Sequence, residues 1–160
     1  MKRTLLAGIV VVAVVIVLGA QTGGTAALPA EGVAAQVRAV LNEQAAAWNR
    51  GDIEGFMQKY RKSEKLAFVG SSGITRGWQT VLERYRRIYP DRATMGKLTF
   101  SDLEVTALGK DAALVLGRWQ LERAADKPGG VFTLILRRFP EGWRIVHDHT
   151  SSTTPPAKPN

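Results

Sequence analysis

From residue 31 onward the apolar positions fall into two rhythms. Val33, Val37, Val40, Leu41 and Trp48 recur at spacings of three, four and seven, which lays one apolar stripe along a helix. Residues 49–52, "NRGD", predict the end of that helix and the start of the next: Gly51 suits a left-handed C-terminal position and Asp52 an N-cap. A short second helix follows, with Ile53, Phe56, Met57 and Tyr60 on one side. Residues 65–77 read as a small hairpin turning at "GSSG". A third helix begins at Trp78, carries Val81, Leu82, Tyr85 and Ile88 on its stripe, and stops before Pro90.

After Met95 the period drops to two. Residues 97–108, 111–123, 130–139 and 142–152 alternate as strands, and the separators "GK", "ADKPGG" and "PEG" are turn-sized. Four such strands predict an antiparallel meander. Helices first and a sheet afterwards define an α+β domain over residues 31–152, its helices packed on one face of the sheet. Residues 153–160 hold no core-forming side chain and are expected to be a disordered tail.

The first 27 residues do not share this patterning. A basic start, "MKRT", precedes an uncharged apolar run over residues 5–20 and then small residues suited to cleavage, the pattern of a secretory signal peptide. The expected location is secreted or periplasmic. Uncleaved, the same run anchors the chain to a membrane with the domain outside the cytoplasm, although it is shorter than the ~20 residues that span comfortably. There is no cysteine in the chain, which excludes disulfides, thiol chemistry and thiolate metal sites.

The formal charge is +8, and +6 once Lys2 and Arg3 are set aside with the leader. The surplus is spread along the chain rather than interleaved with aromatics on one surface. A nucleic-acid partner is therefore not expected, and the charge suits solubility or adhesion to anionic polymers.

Both histidines, His147 and His149, lie two positions apart on the last strand, in "GWRIVHDHTSS". Strict alternation puts Trp143, Ile145, His147, His149 and Ser151 on one face, and Arg144, Val146, Asp148 and Thr150 on the other. Two such histidines can act as acid or base near neutrality, can begin a zinc site, or can be hydrogen-bonded core residues. Zinc needs a third ligand that no inward Asp or Glu supplies, so neither a metal nor a cofactor is expected.

The order of elements, with "AWNRGDIEGFMQKY" and "GWRIVHDHTSS", resembles the nuclear transport factor 2-like superfamily. The resemblance extends to its SnoaL-like and ketosteroid isomerase-like members and to the association domain of calcium/calmodulin-dependent protein kinase II. The resemblance implies a curved sheet wrapped around a helix, a conical pocket open at one end, and homodimers formed through the sheet. It further implies a pocket lined by Gln44, Tyr60, Phe68, Tyr85, Trp119, Ile135, His147, His149 and Ser151, with Val115, Gly117, Leu121 and Thr133 also inward. Set against a ketosteroid isomerase, Phe68 stands where the base belongs, Gln44 where the tyrosine donor belongs, and Ile135 where the acid donor belongs. Isomerase chemistry of that kind needs a carboxylate and two donors, so it is not expected.

Three functions follow from these observations. The first is a module that binds a small apolar or aromatic molecule without a complete catalytic set. The second is a cofactor-independent lyase, cyclase or isomerase using His147 or His149 as base and Tyr60 or Tyr85 as acid. The third is a homodimeric scaffold. The fold by itself does not choose among them.

Overall fold

The computed structural model describes residues 30–153. The leader expected over residues 1–27 and all but the first residue of the expected tail lie outside the described residues. Ten elements run in the order α1 (Ala30–Asn49), α2 (Ile53–Met57), β1 (Ala67–Gly70), β2 (Gly73–Arg76), α3 (Trp78–Ile88), α4 (Arg92–Met95), β3 (Lys97–Ala107), β4 (Ala112–Glu122), β5 (Gly129–Phe139) and β6 (Gly142–Thr150). The α+β architecture expected from the two rhythms is present.

The stripe on α1 explains its burial. Val33, Val37, Leu41 and Trp48 are all but sealed from solvent, and each such side chain contributes about 1.5–3 kcal/mol relative to exposure. Gln44 occupies the same stripe and is 1% exposed. The helix ends as the sequence predicts: Gly51 has φ +83, and the Asp52 side chain accepts a hydrogen bond from the Gly55 N–H at 2.7 Å. Arg92 then donates from its guanidinium to the carbonyls of Trp48 (2.8 Å) and Asn49 (3.1 Å), satisfying carbonyls at the C-terminus of α1. Asn49 pairs with the backbone of Leu98, donating to its carbonyl and accepting from its N–H, which fixes the end of α1 on the start of β3.

α4 is an addition to the three expected helices. It is one turn long, nucleated by a capping box in which Asp91 accepts from the Thr94 N–H and Thr94 accepts from the Asp91 N–H.

The six strands form one sheet in the order β2-β1-β6-β5-β4-β3. β3 to β6 make the expected meander, and α1 packs on β3, β4 and β6. The hairpin β1–β2 joins the same sheet, β1 lying parallel to β6 with Ala67, Phe68 and Val69 opposite His147, Asp148 and His149. Two irregularities bend the meander. One extra residue enters β3 between Ser101 and Glu104, where Asp102 has φ +50. Another enters β6 at Val146, because Leu136 faces Ile145 while Ile135 faces His147.

The bulge in β6 corrects the expected strand faces. A one-residue insertion reverses every side chain beyond it. Trp143 and Ile145 point into the core as predicted, and then Asp148 is buried while His149 is exposed. β5 is corrected by register: Phe132, Leu134 and Leu136 are the inward residues, opposite Gly117, Val115 and Ala113, so Thr133 and Ile135 face outward. Gly117 leaves room for them, since a Cβ there would stand 2.5 Å from Phe132 Cζ and 2.8 Å from Leu103 Cδ2 and those side-chain ends would have to shift.

Candidate functional site

Part of the core is filled by Val37, Val115, Leu136, Trp143 and Ile145, all buried. Toward the end where β1, β4 and β6 finish and β3 and β5 begin, the side chains part around a cavity of about 120 Å³. Its wall is largely aromatic and aliphatic. Trp48, Phe56, Phe68, Tyr85 and Tyr89 come from the helices and β1, and Leu98, Phe100, Trp119, Leu121, Phe132 and Leu134 from the meander. Ring contacts hold one side rigid: Trp48 meets Phe56, Tyr85 and Tyr89 edge-on at centroid distances of 5.1, 6.1 and 4.7 Å.

Polar groups in this wall are few. Gln44, Tyr60, Asp148 and Thr150 are among them. Tyr60 donates its hydroxyl to Asp148 Oδ2 at 2.6 Å, and Thr150 donates to Oδ1 at 2.6 Å. Asp148 is 4% exposed. Burial pushes its carboxyl above the usual carboxylate range, against the opposing pull of the Thr150 and Tyr60 hydroxyls and of the neighbouring histidines. Burial also holds the Tyr60 and Tyr85 phenols well above the usual range, and the two hydroxyls interact with each other. The Gln44 amide nitrogen is buried in the same wall with no hydrogen-bond partner among the described residues.

Of the residues named from sequence, Gln44, Tyr60, Phe68, Tyr85 and Trp119 are brought together at this cavity. Ile135, His147, His149 and Ser151 are not. Ile135 and His147 face each other across β5 and β6 on the outer side of the sheet, His149 does the same with Thr133, and Ser151 is exposed. The ring of Trp119 donates to the Ser151 carbonyl at 3.0 Å, so Ser151 meets the site through its backbone. Trp48 and Phe56, on the apolar sides of α1 and α2, are buried and also form part of the wall, whereas Trp78 packs elsewhere and donates to the Met57 carbonyl.

The site residues that sequence reasoning turned away from the pocket are Asp148 and Thr150. The available signal was the doublet Ile145 and Val146, two adjacent apolar residues that break the alternation where the bulge falls. Among the described residues no three His, Cys, Asp or Glu side chains gather closely enough to hold a metal ion. Nor is any helix among them long and apolar enough to cross a membrane.

A helix cupped by a curled sheet, with an apolar cone and one buried carboxyl, defines the class of conical α+β pocket proteins. Comparison with known proteins gives the family. The family profile described as SnoaL-like domain matches residues 37–155, and the chain belongs to that family. A nuclear transport factor 2-like protein of unknown function from Shewanella oneidensis MR-1 is 38% identical, with 74% of this chain and 98% of that one covered and a TM-score of 0.72. A ketosteroid isomerase-like protein from Erwinia carotovora atroseptica SCRI1043 shares the fold at 19% identity and TM-score 0.61, over 76% of this chain and 96% of that one. A cystatin-like fold protein of unknown function from Nostoc punctiforme does so at 13% identity and TM-score 0.65, over 82% and 97%. No curated protein matches the chain.

Proposed function

We propose that this SnoaL-like domain binds a small organic molecule in its cone and moves a proton on it without a cofactor, as a lyase or isomerase does. The observation that carries this reading is the buried Asp148 carboxyl, held by two hydroxyl donors in an otherwise apolar cavity and shifted upward by burial. A carboxyl so placed is protonated over a wider pH range than a surface one, and it is a stronger base once ionised. Tyr60 fixes its orientation and Tyr85 extends the hydroxyl chain. Gln44 supplies an unused donor for an oxygen of the bound molecule. Asp148 thereby takes the part expected of the histidines. The volume is below the 300–1,000 Å³ of pockets for drug-sized ligands, so the enclosed part of the substrate is a few heavy atoms.

A binding module without turnover is the second reading. It is favoured by the fact that each Asp148 oxygen already accepts a hydrogen bond. Solvent-deuterium exchange into a panel of small ketones and hydroxy acids, followed by proton NMR, separates the two. Proton transfer predicts exchange above the buffer rate that Asp148→Asn abolishes and that rises with pH as the carboxyl ionises. Exchange equal in wild type and variant, or absent while the same compounds bind, overturns the enzymatic reading.

We propose in addition that residues 1–27 direct the chain out of the cytoplasm, on the strength of their sequence pattern. Homodimer formation through the outer sheet face is the assembly we favour, because that face exposes Leu116 (41%) and Val131 (44%). N-terminal sequencing of the mature protein and native mass spectrometry test these two statements. An intact leader on a cytoplasmic product, or a monomer, refutes the corresponding one.

A further inference from the structure

Arg84 is out of keeping with the other arginines. Several of those described, such as Arg61, Arg86, Arg92, Arg118 and Arg123, are tied into ion pairs or bonded to carbonyls. Arg76, Arg87 and Arg138 are exposed. Arg84 is half-buried, and its Nη1 is sealed from solvent with no hydrogen-bond partner among the described residues. Leaving a buried charged donor unmade is costly, so such a group marks a place where an acceptor is expected.

Its location says which acceptor. The guanidinium lies over the Phe68 ring, 5.0 Å from the centroid, and Phe68 is a wall residue of the cavity. A Cβ built on Gly70 would stand 3.7 Å from Arg84 Nη2 and 3.8 Å from the Thr150 carbonyl, so the cation sits where β1 and β6 end, at the mouth of the cone. Its charge reaches the phenols of Tyr85 and Tyr89 in the same wall. Arg84 itself stands just outside that wall. An apolar cavity beside a planar guanidinium whose Nη1 has no partner among the described residues matches a molecule with an apolar end and a carboxylate end, since a carboxylate takes two parallel N–H donors from arginine. The surplus of positive charge on the chain favours the approach of such an anion.

We propose that Arg84 is an anion-binding subsite at the mouth of the cavity and that the ligand is a small organic carboxylate, its apolar end among Phe68, Trp119 and Phe132. This rests on the reading of the cone as a small-molecule site, and it does not depend on Asp148 transferring a proton.

The test uses matched probes on the full chain, benzoate against benzamide and hexanoate against hexanamide, titrated by NMR with the Arg84 Nε–H and the backbone amides of Phe68 and Thr150 as reporters. The expected result is saturable binding of each carboxylate at least tenfold tighter than its amide. Arg84→Gln then removes that preference and leaves the amide unchanged, and Arg84→Lys keeps part of it. Equal affinities for acid and amide in wild type, a preference that survives Arg84→Gln, or no saturable binding of either acid overturns the proposal. If the preference holds and deuterium exchange is absent, the anion site stands and the proton-transfer reading falls. If exchange occurs without the preference, proton transfer stands and the anion site falls.

Discussion

Tyr60→Phe deletes one hydroxyl and leaves the ring. What is lost is the 2.6 Å bond to Asp148 Oδ2 and the contact with the Tyr85 hydroxyl, inside a wall where water cannot replace them without entering the cavity. A buried hydrogen bond to a charged acceptor contributes about 1.5–3 kcal/mol and one between neutral groups about 0.5–1.5 kcal/mol. The cost of the substitution therefore depends on the state of Asp148. Burial sets that carboxyl above its unfolded value, so its contribution to stability is fully present below the unfolded pKa and is lost as pH rises through the folded one. Tyr60 opposes this by favouring the ionised form. Without it the carboxyl moves further up and the loss at high pH deepens. The expected destabilisation is about 1 kcal/mol at pH 4 and about 2–3 kcal/mol at pH 8, and each kcal/mol lowers Tm by about 3–6 °C for a domain of this size. Urea unfolding at both values, beside a carbon-13 titration of the Asp148 carboxyl, gives the answer. A penalty that is the same at pH 4 and pH 8, or an Asp148 pKa that falls in the variant, refutes the reasoning.

Asp148→Asn removes the ionisation itself, so its Tm is expected to match wild type near pH 4 and to exceed it at pH 8; a wild type that gains on the variant as pH rises contradicts the burial argument. Gly117→Ala drives a methyl to within 2.5 Å of Phe132 Cζ and is expected to cost about 1–3 kcal/mol in urea unfolding. A neutral result there shows that β5 yields more readily than the close contact implies. Arg92→Ala frees the carbonyls of Trp48 and Asn49, and about 1 kcal/mol of thermal stability should go with them. Unchanged stability would show that water serves those carbonyls equally well.

The elements were legible because each carries its own period. The stripe of α1, the Gly51 and Asp52 boundary, the "GSSG" hairpin and the four long strands all depend on local spacing, and all are present. The site was legible where it depends on the same spacing: Gln44 on the α1 stripe, Tyr60 after α2, Tyr85 on α3 and Trp119 on β4. It failed where a non-local pairing intervenes. Ile145 bonds by its N–H and carbonyl to Lys59 and Arg61, and two residues later β6 takes β1 as its parallel neighbour. The extra residue at Val146 falls between these pairings, which alternation along β6 alone does not reveal. The same limit applies to β5, where the register against β4 sets Phe132 opposite Gly117 and turns it inward while Val131 stays exposed.

Asp148 and Gln44 share a property that bears on why the cone exists. A domain whose sole task is to fold has no use for a carboxyl raised by burial or for an amide nitrogen sealed off without a partner, because apolar groups of the same shape at both positions are the more stable choice. Nothing in the local backbone calls for either: Gln44 occupies one helical position on an otherwise apolar stripe, and Asp148 stands between the inward residues Ile145 and Thr150 on a strand already held by two neighbours. Their cost falls in one cavity, next to the hydroxyls of Tyr60 and Thr150 and one wall residue, Phe68, away from Arg84. Gln44 Nε2 and Arg84 Nη1, the buried side-chain nitrogens without a partner among the described residues, lie in and beside this one cavity. A molecule bringing an acceptor for Gln44 and an anion for Arg84 satisfies both at once, and Asp148 is the group it would then meet.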